Sequence, residues 1–314
     1  MLLSVVIPAY NEAEGIGMFH KDLLLPGVKK ATKDYEIIYV NDGSRDETLK
    51  ILTKIAEKDS HVRVVNLSRN FGKEIATTAG IFQAKGDATI ILDADGQHPP
   101  EIIKDFVKKW QNGAQVVIGV RNKQQHEGFI KEIGSKVFYR VFNGTSGAHI
   151  IPRSTDFRLI DKAVRQEFIK FTEKNRITRG LIDWLGFERD IIYFDSPERL
   201  AGKANYKTSQ LIKLAANSFI SLSLKPLFFF GWIGTAIVSL SILLGLFIII
   251  EQFMLRDPLE MNFSGPFMLG VFTSFLVGLV LTSQAITAAY LSHIYSQTQG
   301  RPLFVIDTKK STNL

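Results

Sequence analysis

The amino-acid sequence predicts an α/β protein whose Rossmann-like, mainly parallel sheet occupies the first two-thirds of the chain. Short β-branched runs alternate there with stretches of helical spacing, which is the pattern of βαβ units. The last third instead contains two long apolar runs without acidic or basic side chains. The predicted organisation is an α/β domain over residues 1–206, an amphipathic helix over 207–225, a hairpin of two membrane-spanning helices over 226–250 and 263–294, and a tail over 295–314.

Five β-branched runs are the predicted strands of the sheet. They are residues 3–7, 36–40, 62–67, 88–92 and 115–119. Between them, residues 47–58 and 100–111 have the spacing of helices. Connections of this length favour parallel neighbours, and the near-continuous hydrophobicity of the strands indicates a sheet that is covered on both faces.

The two apolar runs predict membrane crossing. Residues 226–250 and 261–294 contain no Asp, Glu, Lys or Arg, and each run exceeds the about 20 apolar residues that a bilayer core requires. Basic residues flank the pair, whereas the loop between the runs is mainly acidic. The sequence therefore predicts an integral protein of an inner or plasma membrane, with the α/β domain and both termini in the cytoplasm. The last dozen residues are predicted to be loosely ordered.

Composition excludes several classes of function. The net charge is +7 and the pI about 9.4, but basic and acidic residues are interspersed and no aromatic-basic stripe is present. This pattern argues against nucleic-acid binding. The chain has no cysteine, which excludes disulfides and thiolate chemistry. The sequence leaves the oligomeric state open, a homo-oligomer included.

Three polar clusters follow predicted strands, at residues 8–12, 41–44 and 93–99. Because ligands of open parallel sheets bind beyond the carboxyl ends of the strands, the three clusters predict one pocket. In the third cluster, Asp93 and Asp95 can present hard oxygen ligands to Mg²⁺ or Mn²⁺, with Gln97 adding a carbonyl oxygen. The alternative for this cluster is a turn with Asx caps.

The usual phosphate-binding loops are missing. No G-x-G-x-x-G follows the first strand, and no G-x-x-x-x-G-K-[ST] occurs in the chain. This argues against a dinucleotide enzyme and a P-loop NTPase. A nucleotide-sugar remains, because a metal ion can neutralise its departing diphosphate.

Five motifs in the same order resemble glycosyltransferase family 2 enzymes that transfer sugar to polyprenyl phosphate. The bactoprenol glucosyltransferases are the most similar group, and dolichyl-phosphate mannose synthase is related. The motifs are residues 5–12 (Val-Val-Ile-Pro-Ala-Tyr-Asn-Glu), 40–44 (Val-Asn-Asp-Gly-Ser), 67–73 (Leu-Ser-Arg-Asn-Phe-Gly-Lys), 93–99 (Asp-Ala-Asp-Gly-Gln-His-Pro) and 156–159 (Asp-Phe-Arg-Leu). The resemblance covers nearly the whole chain and implies a catalytic domain of the GT-A type.

The resemblance also implies roles for individual residues. The residues implied in nucleotide-sugar binding are Pro8, Ala9, Tyr10, Glu12, Asp42, Lys73, Asp93, Ala94 and Arg199. The implied metal ligands are Asp93, Asp95 and Gln97, the implied lipid-phosphate ligands are Arg121, Lys131 and Ser135, and the implied catalytic residues are Asp95 and Asp156.

The implied reaction is an inverting transfer of a hexose from a nucleotide-sugar to a polyprenyl phosphate at the cytoplasmic membrane face, dependent on Mg²⁺ or Mn²⁺. UDP-glucose is the favoured donor and GDP-mannose the alternative. Residues 199–206 depart from the family pattern, because Ala204 and Asn205 replace a hydroxyl residue and a lysine. Two other functions stay open: a processive polysaccharide synthase, whose Gln-x-x-Arg-Trp motif is missing, and a non-catalytic nucleotide-sugar sensor.

Overall fold

The computed structural model describes residues 1–122, 151, 153–174, 176–197, 243 and 265–314. The chain divides into two compact units. The first comprises Met1–Tyr206 together with Arg301–Leu314, and the second comprises Lys207–Gly300.

The first unit is built on a seven-stranded sheet. Its strands are β1 (Leu3–Ala9), β2 (Tyr35–Asn41), β3 (Val62–Asn66), β4 (Ala88–Ile91), β5 (Val116–Arg121), β6 (Ser154–Asp161) and β7 (Arg189–Phe194), in the spatial order β3-β2-β1-β4-β6-β5-β7. Only β6 runs against its neighbours, β4 and β5. The mainly parallel sheet and the five predicted strands are therefore confirmed.

Helices connect the strands. They are α1 (Ile16–Met18), a π-helical turn (Phe19–Leu24), α2 (Leu25–Ala31), α3 (Thr48–Lys58), α4 (Lys73–Gln83), a 3-10 turn (Pro100–Ile102), α5 (Ile103–Gln111), α6 (Lys162–Ile169) and α7 (Thr178–Trp184). The predicted helices at 47–58 and 100–111 are confirmed. The predicted helix at 207–225 lies outside the described residues.

Alternation along the strands gives the sheet two apolar faces. In β1, Leu3, Val5 and Ile7 belong to the apolar core that includes residues of α3 and α5, whereas Val6 belongs to the core on the α4 side. Both cores are fully buried at these positions, which is why the strand reads as a continuous hydrophobic run.

The C-terminal residues are ordered on the edge of this sheet, contrary to the loosely ordered end that the sequence predicts. Thr312 exchanges both backbone hydrogen bonds with Val64 of β3, at 2.9 and 3.0 Å, and Ile306 forms a second antiparallel bridge with Leu67. The side-chain amide of Asn313 donates to the carbonyl oxygens of Ala56 and Val62 at 3.0 and 2.8 Å. The tail thus satisfies backbone groups that an edge strand would otherwise expose.

Asn313→Ala is expected to lower the free energy of unfolding by about 1–2 kcal/mol, because it removes two hydrogen bonds to backbone carbonyls. Urea unfolding of the two proteins measures the difference. Lys309→Ala, on an exposed side chain of the same tail, is the matched control and should leave the midpoint unchanged. Equal midpoints for all three proteins would show that the side-chain hydrogen bonds of Asn313 add nothing to stability.

The second unit contributes helix α8 (Gly265–Thr298) to the described residues. A bilayer crossing needs about 20 predominantly apolar residues within one helix. Within the described ranges, no helix combines the length and the apolar character that a crossing requires. This finding corrects the predicted localisation, an integral protein of an inner or plasma membrane with its catalytic domain and both termini in the cytoplasm. The absence of charged residues from a run satisfies only the composition that a membrane-spanning helix requires. The predicted two-helix hairpin is left without support. Apart from Leu243, the first predicted span, 226–250, lies outside the described residues.

Candidate functional site

The loops that follow β1 and β2 are interlocked. The backbone N–H of Asn11 donates to Ser44 Oγ at 3.0 Å, and Asn11 Oδ1 accepts from the N–H of Arg45 at 2.9 Å. The N–H of Glu12 donates to Thr48 Oγ1 at 2.8 Å. Asn11 has a φ of 54°, a left-handed conformation that asparagine tolerates better than most residues. The first two predicted clusters therefore form one rigid surface.

Asp42 braces a third loop against that surface. Its carboxylate accepts from the N–H groups of Phe71 and Gly72 at 2.7 and 2.9 Å. Burial raises the pKa of Asp42, although these two donors and the charge of Arg69 oppose the shift. The neighbouring Gly43 has a φ of 64°, and a Cβ there would lie 2.4 Å from the backbone of Arg69. Only glycine allows this close approach.

Lys73 stands at the centre of the site. It opens helix α4, and its ammonium lies 2.7 Å from the carboxylate of Asp93 and 2.9 Å from Oδ2 of Asp156. Asp93 follows β4 and Asp156 belongs to β6, so one cation joins the ends of two adjacent strands.

The charges of this cluster stabilise one another. Burial alone would raise the pKa of Asp156, but Lys73 and then Arg179 outweigh it and hold that pKa well below its ordinary value. Burial would lower the pKa of Lys73, but Asp93 and Asp156 hold it above its ordinary value. Both groups are therefore charged at neutral pH.

His98 fixes the backbone of the third predicted cluster. Its Nδ1 accepts from the N–H of Asp93 at 3.0 Å, and its ring stacks on Phe157 with 5.2 Å between ring centres. Burial holds the pKa of His98 below its ordinary value, which keeps the ring neutral and its Nδ1 able to accept. In the same loop, Asp95 Oδ1 accepts from the N–H of Gln97 at 3.0 Å, so the Asx turn that was the alternative to a metal site is present. This turn does not remove the carboxylate's capacity for a metal.

Asp93, Asp95 and Gln97 carry the hard oxygen ligands that a divalent cation such as Mg²⁺ or Mn²⁺ prefers. Asp93 Oδ1 lies 2.7 Å from the Lys73 ammonium and has no other hydrogen-bond partner among the described residues. Gln97 Oε1 lies 3.4 Å from Nη2 of Arg121. In the part of the chain that the structure describes, no three His, Cys, Asp or Glu side chains converge into a metal cluster. Two carboxylates and one amide would therefore need oxygen ligands from a substrate, which suits Mg²⁺ or Mn²⁺ with a diphosphate.

A buried ion pair supports the far side of the site. Arg158 of β6 donates from Nη1 to Asp183 Oδ1 at 2.7 Å, and both side chains are 1% exposed. Arg158 Nη1 also donates to the backbone carbonyl of Arg179 at 3.2 Å. Helix α7 is thereby fastened to the strand that carries Asp156.

The structure brings most of the predicted site residues to one end of the sheet. Those in the described part are Pro8, Ala9, Tyr10, Glu12, Asp42, Lys73, Asp93, Ala94, Asp95, Gln97, Arg121 and Asp156. Lys131, Ser135 and Arg199 lie outside the described residues.

Sequence reasoning assigned no role to three residues that shape the site. His98 and Arg158 lie within two of the motifs. The signal for His98 is an aromatic ring close to the end of a strand, and the signal for Arg158 is an arginine inside a buried strand. Glu74 follows the motif that ends at Lys73, and nothing in its spacing marked it.

Comparison with known proteins agrees with this geometry. The model of the family described as glycosyl transferase family 2 matches residues 4–169. A protein of Synechocystis sp. named as an uncharacterized glycosyltransferase is 37% identical over 305 residues, covering 97% of this chain and 94% of that one. A bactoprenol glucosyl transferase of Shigella phage SfX is 33% identical over 312 residues, covering 99% and 100% of the two chains.

Solved structures share the fold at lower identity. The crystal structure of a mycobacterial protein has a TM-score of 0.50 at 19% identity, covering 70% of this chain and 73% of that one. The family match spans more than half of the chain, and relatives above 30% identity span nearly all of it. The chain is therefore a glycosyltransferase of family 2, with a Rossmann-like domain of the GT-A type.

Proposed function

We propose that this enzyme transfers a hexose from a nucleotide-sugar to a polyprenyl phosphate with inversion at the anomeric carbon. The observation that supports the proposal is Lys73, whose ammonium joins the carboxylates of Asp93 and Asp156. We assign Asp93 to the donor side and Asp156 to the acceptor side. UDP-glucose is the favoured donor and GDP-mannose the alternative. The relatives named bactoprenol glucosyl transferase support both the glucose and the prenyl acceptor.

The donor is proposed to bind across the loops after β1, β2 and β4. The interlocked loops around Tyr10 and Glu12 and the Asp42-braced loop would hold the nucleoside, with Pro8, Ala9 and Ala94 shaping its surface. Asp93, Asp95 and Gln97 would hold Mg²⁺ or Mn²⁺, which supplies neutralisation of the departing diphosphate. Arg121, beside Gln97, would bind the phosphate of the lipid acceptor.

The acceptor needs positioning more than deprotonation. The second pKa of a phosphomonoester is about 6, so the acceptor is largely dianionic at pH 7. Asp156 is held ionised by Lys73, and we assign it the orientation of the acceptor and of Lys73 rather than an obligatory role as base. We propose that the lipid phosphate is contacted by Lys131 and Ser135. The donor's phosphates are proposed to be contacted by Arg199.

The proposed step is one displacement. A phosphate oxygen forms a bond to the anomeric carbon while the bond from that carbon to the diphosphate oxygen breaks, and the electron pair leaves with the nucleoside diphosphate. The protein contributes by holding two anionic reactants in line, because proximity and charge neutralisation supply most of the acceleration in such a reaction.

The test is incubation of purified full-length protein and Mn²⁺ with labelled nucleotide-sugars and undecaprenyl phosphate dispersed in detergent. The expected result is label in the organic phase with UDP-glucose, and none when the acceptor is omitted. Label only from GDP-mannose would assign the alternative donor. Donor binding without any product would instead support a nucleotide-sugar sensor, and aqueous polymer would support a polysaccharide synthase.

A further inference from the structure

Glu74 connects helix α4 to helix α7, a connection that the neighbouring Lys73 does not make. Both residues lie in the first turn of α4, yet their side chains have different partners. Lys73 contacts Asp93 and Asp156, whereas Oε2 of Glu74 accepts from the backbone N–H of Thr178 at 2.8 Å. Thr178 is the first residue of α7 and lies 104 positions away in the chain.

The contact with Thr178 matters for function because the next residue, Arg179, acts on the charge of Asp156. Arg179 is the second-largest favourable charge acting on Asp156, after Lys73. The backbone carbonyl of Arg179 accepts from Nη1 of Arg158 at 3.2 Å, so the position of Arg179 is tied to the backbone of the first turn of α7. Glu74, Asp156, Thr178 and Arg179 line the same small cavity.

Glu74 is not needed to hold the rest of α7. The Arg158–Asp183 ion pair fastens the helix at its sixth residue, and Leu181 and Ile182 are buried against the core. Glu74 therefore acts on the first turn, which Arg158 also contacts at the carbonyl of Arg179. Burial and the nearby Asp156 carboxylate raise the pKa of Glu74, whereas the hydrogen bonds with Thr178 and the charge of Lys73 oppose that shift.

We propose that Glu74 is a positioning residue for the acceptor side: its bond to Thr178 fixes the first turn of α7 and so places Arg179 beside Asp156, where an incoming phosphate must be held. This inference rests on the proposed transfer reaction and deepens it. It assigns Arg179 as a further phosphate-directed cation, because a guanidinium next to the acceptor carboxylate suits a dianionic phosphate.

The experiment compares Glu74→Ala and Glu74→Gln in the full-length protein. The Gln side chain keeps an amide oxygen that can accept from Thr178, whereas Ala removes the acceptor. We expect Glu74→Ala to lower kcat/KM for the polyprenyl phosphate by about tenfold, the factor that one lost hydrogen bond produces, with little change in KM for the donor. Glu74→Gln should recover most of the loss. Glu57→Ala, at an exposed position of α3, is the control.

Hydrogen exchange provides a readout that does not need transfer. The amides of residues 178–181 should exchange about tenfold faster in Glu74→Ala and at the wild-type rate in Glu74→Gln. Wild-type exchange and acceptor kinetics in Glu74→Ala would overturn the inference. The inference would also be overturned if Glu74→Gln behaved like Glu74→Ala. It would likewise be overturned if Glu74→Ala lost kcat/KM equally for the donor and for the acceptor. A wild-type protein that transfers no sugar would reject the proposed function, while the exchange result still decides whether Glu74 orders this turn.

Discussion

Replacing Asp95 by asparagine is expected to abolish transfer while leaving the fold intact. Asp95 is a proposed ligand of the divalent cation, and asparagine supplies a neutral oxygen in place of a carboxylate. The turn should survive, because the Asn side-chain oxygen can still accept from the N–H of Gln97 as Asp95 Oδ1 does. Loss of charge stabilisation at a departing diphosphate is expected to lower kcat/KM by about 10²–10³ or more.

The measurement is organic-phase label at saturating Mn²⁺, with thermal unfolding of each protein recorded alongside. Asp22→Asn, at an exposed position far along the chain from the cluster, is the control and should transfer at the wild-type rate. Wild-type turnover by Asp95→Asn would rule out the proposed metal site. A second check titrates Mn²⁺ into the free proteins: binding should weaken in Asp95→Asn and be unchanged in Asp22→Asn.

Lys73→Met is the second change with a large expected effect. Methionine keeps much of the length of the lysine stem but removes the charge that Asp93 and Asp156 share. We expect transfer at pH 7 to fall by about 10²-fold, because two carboxylates then face incoming phosphates without their common cation. Lys73→Arg, which keeps the charge, should retain more activity than Lys73→Met.

The same variant has a defined pH dependence. The folded-state pKa of Asp156 is depressed, so its contribution to stability is present above its ordinary pKa and is lost as the pH falls. Removing Lys73 removes the largest cause of that depression, and Lys73→Met should be less stable than wild type at pH 7. The difference in unfolding free energy should narrow as the pH falls below the ordinary pKa of an aspartate, because the unfolded chain is protonated first, and it should close only as the pH falls through the depressed folded-state pKa of Asp156. A difference that is constant from pH 7 to pH 3 would contradict this account.

Local pattern was sufficient for the sheet and for the loops at its end. β1, β2 and β4 are continuous apolar runs that end at polar motifs, and parallel strands bring such ends together. The sequence could therefore place Asp42 and Asp93 in one pocket. It could not show that both carboxylate oxygens of Asp42 accept hydrogen bonds from the backbone of Phe71 and Gly72, because these contacts depend on how the loop folds back.

The remaining features depend on distant pairings. Lys73 and Asp156 are 83 residues apart, and their contact exists because β6 inserts antiparallel between β4 and β5. No periodicity in residues 154–161 reveals that insertion. For the two apolar runs, a local pattern was misleading. The absence of charged residues is a local property, and it predicted a membrane hairpin that the described helices do not support.

The pairing of the tail with β3 also sets an order of events during synthesis. Arg63 donates to the backbone carbonyl of Asn313, a residue 250 positions later. A ribosome makes about 5–20 residues each second, so this edge of the sheet stays open for roughly ten seconds or more while the intervening chain is made. This edge is covered only after residues 306–313 have been made, and a protein truncated after residue 206 would carry an unprotected edge strand for its whole lifetime.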